Sequence, residues 1–127
     1  MRAYFDSDIL IWHLRGERRA ASLLRELSAE PDAELWIGAL QRAEILFFMR
    51  PDEERPTLSF LSRFKTEAVT REIVDAAGIF YRRWHRSHGI DVNDAILAAA
   101  VAATGGKVYT QNVRHYPMPD IAVIKGW

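Results

Sequence analysis

The chain has 127 residues, with 17 Lys plus Arg against 17 Asp plus Glu, so its formal net charge is zero. That balance excludes a uniformly basic nucleic-acid coat or a polycationic membrane binder, and the absence of Cys excludes disulfides, thiolate catalysis, zinc–thiolate sites and iron–sulfur clusters. With 49% hydrophobic and 27% charged residues, the composition is that of one soluble globular domain spanning residues 1–127.

The opening Ala3-Tyr4-Phe5 reads as a strand that ends at Asp6-Ser7-Asp8. Charge within the first few positions argues against a signal peptide, so no membrane association and a cytoplasmic location are expected. Ser7 or Asp8 caps a helix with Leu10, Ile11 and Leu14 on its apolar face, and Gly16 stops it. Arg18 to Leu27 reads as a second, amphipathic helix, broken at Pro31-Asp32. Leu35-Trp36-Ile37 is a short strand, and Gly38 turns the chain into a helix from about Ala39 to Met49. Pro51 and Pro56 bound a loop before a helix over about Thr57 to Phe64. Glu67-Ala68-Val69 is a further strand candidate, and Thr70 caps a long helix to about His85, followed by a Ser87-His88-Gly89 loop. Asp91 opens an Ala-rich helix whose longest apolar run, Ala95 to Ala103, is far below the ~20 residues of a membrane span. Gly105-Gly106 closes that helix, and Lys107-Val108-Tyr109-Thr110 and Ile121-Ala122-Val123-Ile124 are the last strands.

Strands alternating with helices predict an α/β domain whose mostly parallel sheet is covered on both faces. Open parallel sheets bind ligands at the carboxyl ends of their strands. Asp6 follows the first strand there, and Thr110-Gln111-Asn112 ends a late one.

Three carboxylates stand out in this frame. Asp6 is either an N-cap or a site residue. Glu44 has Leu40, Phe47 and Phe48 as helical neighbours and so borders an apolar stripe, whereas Gln41 and Arg42 fall on the more polar side. A carboxylate there must reach water, pair with an arginine such as Arg42, or find another partner. Asp91 and Asp94 have the spacing of a capping box, which accounts for Asp91 more fully than for Asp94. The small residues behind Asp94 let its helix lie close to the sheet. If Asp6, Glu44 and Asp94 converge, their repulsion calls for a proton or a cation. Hard oxygen ligands without Cys select Mg²⁺ or Mn²⁺, which binds phosphate oxygens and activates water.

At this point the residues resemble a known family. Tyr4-Phe5-Asp6-Ser7-Asp8-Ile9-Leu10-Ile11 is similar to the opening of PIN-domain ribonucleases, and Ala43-Glu44-Ile45 to their internal acidic motif. Asp91-Val92-Asn93-Asp94-Ala95-Ile96, followed by Gly105-Gly106-Lys107-Val108-Tyr109-Thr110-Gln111-Asn112-Val113-Arg114-His115-Tyr116, resembles their C-terminal half, and the VapC toxins are the nearest look-alikes. The resemblance implies a three-layer α/β/α fold and a Mg²⁺- or Mn²⁺-dependent endoribonuclease. Asp6, Glu44 and Asp94 would hold the metal and position the attacking water, with Thr110 orienting an acidic ligand. A fourth acid of many relatives falls near His115. No carboxylate stands there or at Asn112, so one ion or two stays open, and Asp8 is an extra acid able to supply charge. Arg114 and His115 are candidate RNA contacts, while Arg82, Arg83, His85, Arg86 and His88 around Trp84 form either a second basic surface or a solvated helix face. The resemblance further implies a VapB-like antitoxin across the N-terminal helices and a homodimer. The segment Phe47-Phe48-Met49, with Leu58, Phe60, Leu61 and Phe64, is apolar enough to feed an interface as well as a core, with core the expected destination for most of it.

Three other classes compete. Asp6-Ser7-Asp8 has the spacing of a haloacid-dehalogenase phosphatase, though no apolar strand precedes Asp91 and Glu44 would be idle. A receiver domain would use Asp6, Thr110 and Lys125 but lacks a central phospho-acceptor Asp. A non-catalytic binding module is the third.

Overall fold

A computed structural model describes residues 1–127. Five strands, β1 (Arg2–Phe5), β2 (Glu34–Gly38), β3 (Lys65–Glu67), β4 (Lys107–Thr110) and β5 (Ala122–Lys125), form one sheet in the order β3-β2-β1-β4-β5. Every pairing is parallel. Six helices cover it: α1 (Ser7–Leu14), α2 (Arg18–Ala29), α3 (Ala39–Phe48), α4 (Glu54–Leu61), α5 (Arg71–His88) and α6 (Val92–Thr104).

The alternation of side chains along the strands builds two cores. Ala3 and Phe5 point to one face, where Ile9 and Leu10 of α1, Leu24 of α2, Ile45 of α3 and Leu61 of α4 bury against them. Tyr4 and Val108 point to the other, under Phe80 of α5 and the small residues Ala95, Ala98 and Ala99 of α6. The layers are therefore α/β/α, as the sequence predicts. No helix is long and apolar enough to cross a membrane.

Chain order and space order part company at β1. The chain moves outward from β1 to β2 and β3, then returns through α5 and α6 to place β4 on the other side of β1. The carboxyl ends of β1 and β4 thus flank the switch point, the crevice where open parallel sheets receive ligands.

Local chemistry moves several expected boundaries. The N-cap of α1 is Asp6, whose Oδ1 accepts from the Ser7 amide at 2.8 Å, and neither Ser7 nor Asp8 caps it. The chain between Pro51 and Pro56 is no loop: a single 3-10 turn at Pro51–Glu53 runs into α4, with Pro56 in the first turn, where a missing N–H costs nothing. The edge strand falls two residues before the expected Glu67-Ala68-Val69, because Lys65, Thr66 and Glu67 pair with Trp36, Ile37 and Gly38. Helix α5 continues to His88 and ends where Gly89 adopts φ 66°, a left-handed conformation open to glycine. Gln41, expected on a polar face, is buried at 1% exposure, its amide occupying the space that Gly38 leaves by lacking a side chain.

Gly106 enters β4 against the backbone of β1. A Cβ there would lie 2.7 Å from the Arg2 carbonyl oxygen and 2.8 Å from the Tyr4 ring. Gly106→Ala is expected to cost about 1–3 kcal/mol by overpacking, read as a lower urea midpoint with an unchanged slope.

Candidate active site

Asp6 leaves β1 at the switch point, with its backbone N–H bonded to the Tyr109 carbonyl of β4 at 3.1 Å. Its side chain is 7% exposed and fully engaged. Oδ1 caps α1, while Oδ2 accepts from the Tyr116 hydroxyl at 2.8 Å and from Thr110 Oγ1 at 3.2 Å. Asp94 comes from the first turn of α6 and is also 7% exposed. Its Oδ2 accepts from the Asp91 amide at 3.0 Å, and Asp91 Oδ1 accepts from the Asp94 amide at 2.8 Å, a reciprocal capping box. The Tyr116 hydroxyl lies 3.4 Å from Asp94 Oδ1, so a single oxygen atom separates the two buried carboxylates.

Glu44 reaches the same place from α3. Its Oε2 accepts from Ser7 Oγ at 3.0 Å and its Oε1 from Asn93 Nδ2 at 2.9 Å, the neighbours in sequence of Asp6 and Asp94. The half-buried Glu44 is thus bonded to the sequence neighbours of both acids, with no arginine partner. The three carboxylates do not close into a preformed three-ligand cage; Asp6 and Asp94 form the inner pair and Glu44 stands beside it.

Electrostatics make the pair uncomfortable. Burial, reinforced by the charge of Asp8, pushes Asp6 up to about 6 against three opposing hydrogen bonds. Burial also pushes Asp94 up to about 7, opposed by the Asp91 amide and reinforced by the charges of Asp91 and Asp6. Both shifts mean that the folded site favours an added positive charge. The donor set of carboxylate oxygens fits a hard divalent cation, which takes one or two carboxylates and completes its shell with water.

Residues 3–120 match the family model of the PIN domain. The chain belongs to the PIN-domain family. It is 38% identical over 114 residues to Ribonuclease VapC10 of Mycobacterium tuberculosis, covering 89% of this chain and 84% of that protein. It is also 38% identical over 118 residues to Ribonuclease VapC19 of the same organism, covering 91% and 94%. Among solved structures, a chain of VapBC2 from Rickettsia felis bound to a DNA fragment from their promoter superposes with TM-score 0.80 at 18% identity, covering 100% of this chain and 99% of that one. A chain of a toxin–antitoxin complex from Klebsiella pneumoniae gives 0.79 at 22% identity, covering 98% of each. At such identities the structural match establishes the fold, and the resemblance to VapC proteins read from the motifs holds. The phosphatase and receiver classes fall away.

In this PIN domain Asp8 is a clamp rather than a free acid. Its Oδ1 accepts from the Ile9 amide at 2.7 Å, and its Oδ2 accepts from the Gln111 amide at 2.8 Å and Thr110 Oγ1 at 3.2 Å. The start of α1 and the end of β4 are thereby locked together. Burial raises Asp8 and these donors hold it down. Asp8→Ala is expected to cost about 1–2 kcal/mol, because the Gln111 amide loses its acceptor; chemical denaturation measures it.

The remaining candidates sort by position. Asp91 is exposed and caps α6. Thr110 is fully buried and touches both Asp6 and Asp8. Asn112 donates its backbone N–H to Thr110 Oγ1 at 2.9 Å, and its Nδ2 lies 2.9 Å from His115 Nδ1. His115 Nδ1 lies 3.0 Å from Asp94 Oδ2, on the rim of the acid pair. Arg114 turns away and donates to the Ser87 carbonyl at 3.0 Å. Arg82, Arg83, His85 and Arg86 are exposed along α5, with Arg83 over the Trp84 ring at 4.6 Å, a solvated face. Of the apolar segment, Phe60, Leu61 and Phe64 enter the core, whereas Phe47 and Phe48 are 78% and 84% exposed.

Sequence reasoning missed Tyr116, Ser7 and Asn93 as site residues. Ser7 and Asn93 could have been found as polar neighbours of two suspect aspartates. Tyr116 carries no such signal, since a lone aromatic after a 3-10 turn reads as core.

Proposed function

We propose that this chain is a divalent-cation-dependent endoribonuclease and the toxin of a VapBC-type pair. The observation that carries the reading is the buried Asp6–Asp94 pair at the sheet's switch point, with Glu44 bonded to the residues next to both, Ser7 and Asn93. The VapC names of its 38%-identical relatives support the RNA substrate.

Asp6 and Asp94, with Glu44, would hold Mg²⁺ or Mn²⁺. A divalent cation here supplies Lewis acidity toward a phosphodiester and toward a water molecule. Thr110 fixes Asp6 in orientation, and the capping box fixes Asp94. Glu44, steadied by Ser7 and Asn93, would orient the attacking water and take up its proton as the water oxygen bonds to phosphorus and the bond to the leaving ribose oxygen breaks, that oxygen taking a proton from solvent. His115, on the turn after β4, contacts the flanking phosphates of RNA, an attraction that weakens with salt.

Beside the site lies a groove of about 470 Å³ lined by Ile11, Leu14, Arg15, Glu44, Phe48 and Met49 among others. A VapB-like antitoxin fills this groove, covers the exposed Phe48 and closes access to Glu44. A second copy of the chain covers the apolar cleft between α5 and α6, where Val74, Tyr81, Val92 and Ile96 meet, giving a homodimer.

The test is RNA cleavage by protein freed of antitoxin. Cleavage of structured RNA with Mg²⁺ or Mn²⁺ that stops on adding EDTA is the expected outcome. Hydrolysis of phosphate monoesters without RNA cleavage contradicts the proposal, as does the absence of any turnover by folded protein, which marks a binding module.

A further inference from the structure

We propose that Tyr116 is a positioning residue whose hydroxyl, held between Asp6 and Asp94, sets the separation at which the two carboxylates receive a divalent cation; this rests on the metal-dependent reading above. Tyr116 is 3% exposed and packs with the α5–α6 core. Its backbone is fixed by the 3-10 turn before it, donating to the Val113 carbonyl at 3.0 Å. A phenylalanine would fill the same space without bringing a polar atom into the interior, and burying a hydroxyl costs free energy unless it is bonded. Here the hydroxyl is bonded to nothing except the site.

Proton counting gives the arrangement a direction. A hydroxyl has one proton, and the 2.8 Å contact assigns it to Asp6 Oδ2. Asp6 then receives the Tyr116 hydroxyl and the Ser7 amide outright, and shares the single Thr110 proton with Asp8. Asp94 Oδ1 meets only the hydroxyl oxygen, at 3.4 Å, and has no other partner. The oxygen with spare capacity is therefore Asp94 Oδ1, and Tyr116 holds Asp6 in place opposite it. Ligand-orienting partners of this kind change metal affinity by about 10–100-fold.

The experiment is Mn²⁺ binding by titration calorimetry on the wild-type chain, Tyr116→Phe and, as control, Tyr4→Phe, whose hydroxyl bonds Glu67 and Thr104 away from the site, with melting curves to verify folding. The expected result is an Mn²⁺ Kd raised about tenfold or more in Tyr116→Phe alone, with RNA cleavage largely restored at high Mn²⁺. An affinity within about twofold of wild type in folded Tyr116→Phe overturns the positioning role and leaves the ribonuclease reading intact. A wild-type chain that neither binds Mn²⁺ nor cleaves RNA overturns both. Fluorine NMR of wild-type protein carrying 3-fluorotyrosine at its four tyrosines, assigned with Tyr4→Phe, Tyr81→Phe and Tyr109→Phe, gives a reading that does not need the Tyr116 variant to fold. The remaining Tyr116 resonance should move saturably with Mg²⁺; a stationary one contradicts the proposal.

Discussion

Asp94→Asn is expected to lower cation-dependent RNA cleavage by about 10²–10⁴-fold, with folding intact. The substitution leaves an oxygen to accept from the Asp91 amide, so the cap of α6 survives while the negative charge that attracts the cation disappears. The range reflects a few kcal/mol of charge stabilisation at about 1.4 kcal/mol per tenfold. Glu44→Gln should lose about 10²-fold or more, because an amide neither takes up a proton nor carries charge. Initial rates at saturating Mg²⁺ or Mn²⁺, on protein verified by circular dichroism, decide the matter. Retention of near-wild-type cleavage in Asp94→Asn would remove that residue from the chemistry.

The second large effect is on stability and runs opposite to activity. Asp6 and Asp94 have folded-state values of about 6 and about 7, above the 3.8 of an unperturbed aspartate. The folded chain therefore binds protons more tightly than the unfolded chain between about pH 4 and pH 7. Stability falls as pH rises through that window and stays low above it. Asp6 alone accounts for about 3 kcal/mol. Glu17 and Glu34, held below their usual range by hydrogen bonds from Arg19 and Lys65, act only at lower pH, whereas His13, pushed down by burial, opposes the trend without matching the two aspartates. Cation-free protein should thus melt higher at pH 5 than at pH 8. Asp6→Asn should raise the pH 8 melting temperature by roughly 5–10 °C and change the pH 5 value much less. Equal melting temperatures for wild type and Asp6→Asn at pH 8 would show that the pair is not under electrostatic strain.

Much of this molecule is legible in its sequence because its signals are local. Thr70 and Asp91 cap helices through their own side chains, and Gly105 closes α6, so α5 and α6 could be placed from residue type. The apolar alternation in Ala3-Tyr4-Phe5 and Lys107-Val108-Tyr109 reports a sheet with both faces buried. Where the expectation slipped, a distant partner decided. Strand β3 sits at an edge, with Lys65 and Thr66 exposed, so nothing apolar marks it; only its pairing with β2 does. Gln41 is buried because Gly38 makes room, a fact of three dimensions.

The site divides in the same way. Asp6, Glu44 and Asp94 each break a local pattern and could be named. Their linkage by Ser7, Asn93 and Tyr116 spans sequence separations of up to 110 residues and leaves no periodic trace. Asp8, expected to add negative charge, does act on Asp6, while its own hydrogen bonds, which also clamp α1 to β4, depend on partners distant in sequence. The segment from Phe47 to Phe64 reads mainly as core, and only the exposure of Phe47 and Phe48 sets those two apart.

The most direct measurement is Mn²⁺ binding at pH 8 by the wild-type chain and by the Asp6→Asn/Asp94→Asn double variant. Saturable binding by the wild type that vanishes in the folded double variant is the predicted result. Undiminished binding in the double variant, or none by folded wild type, would contradict a cation site built on these two carboxylates.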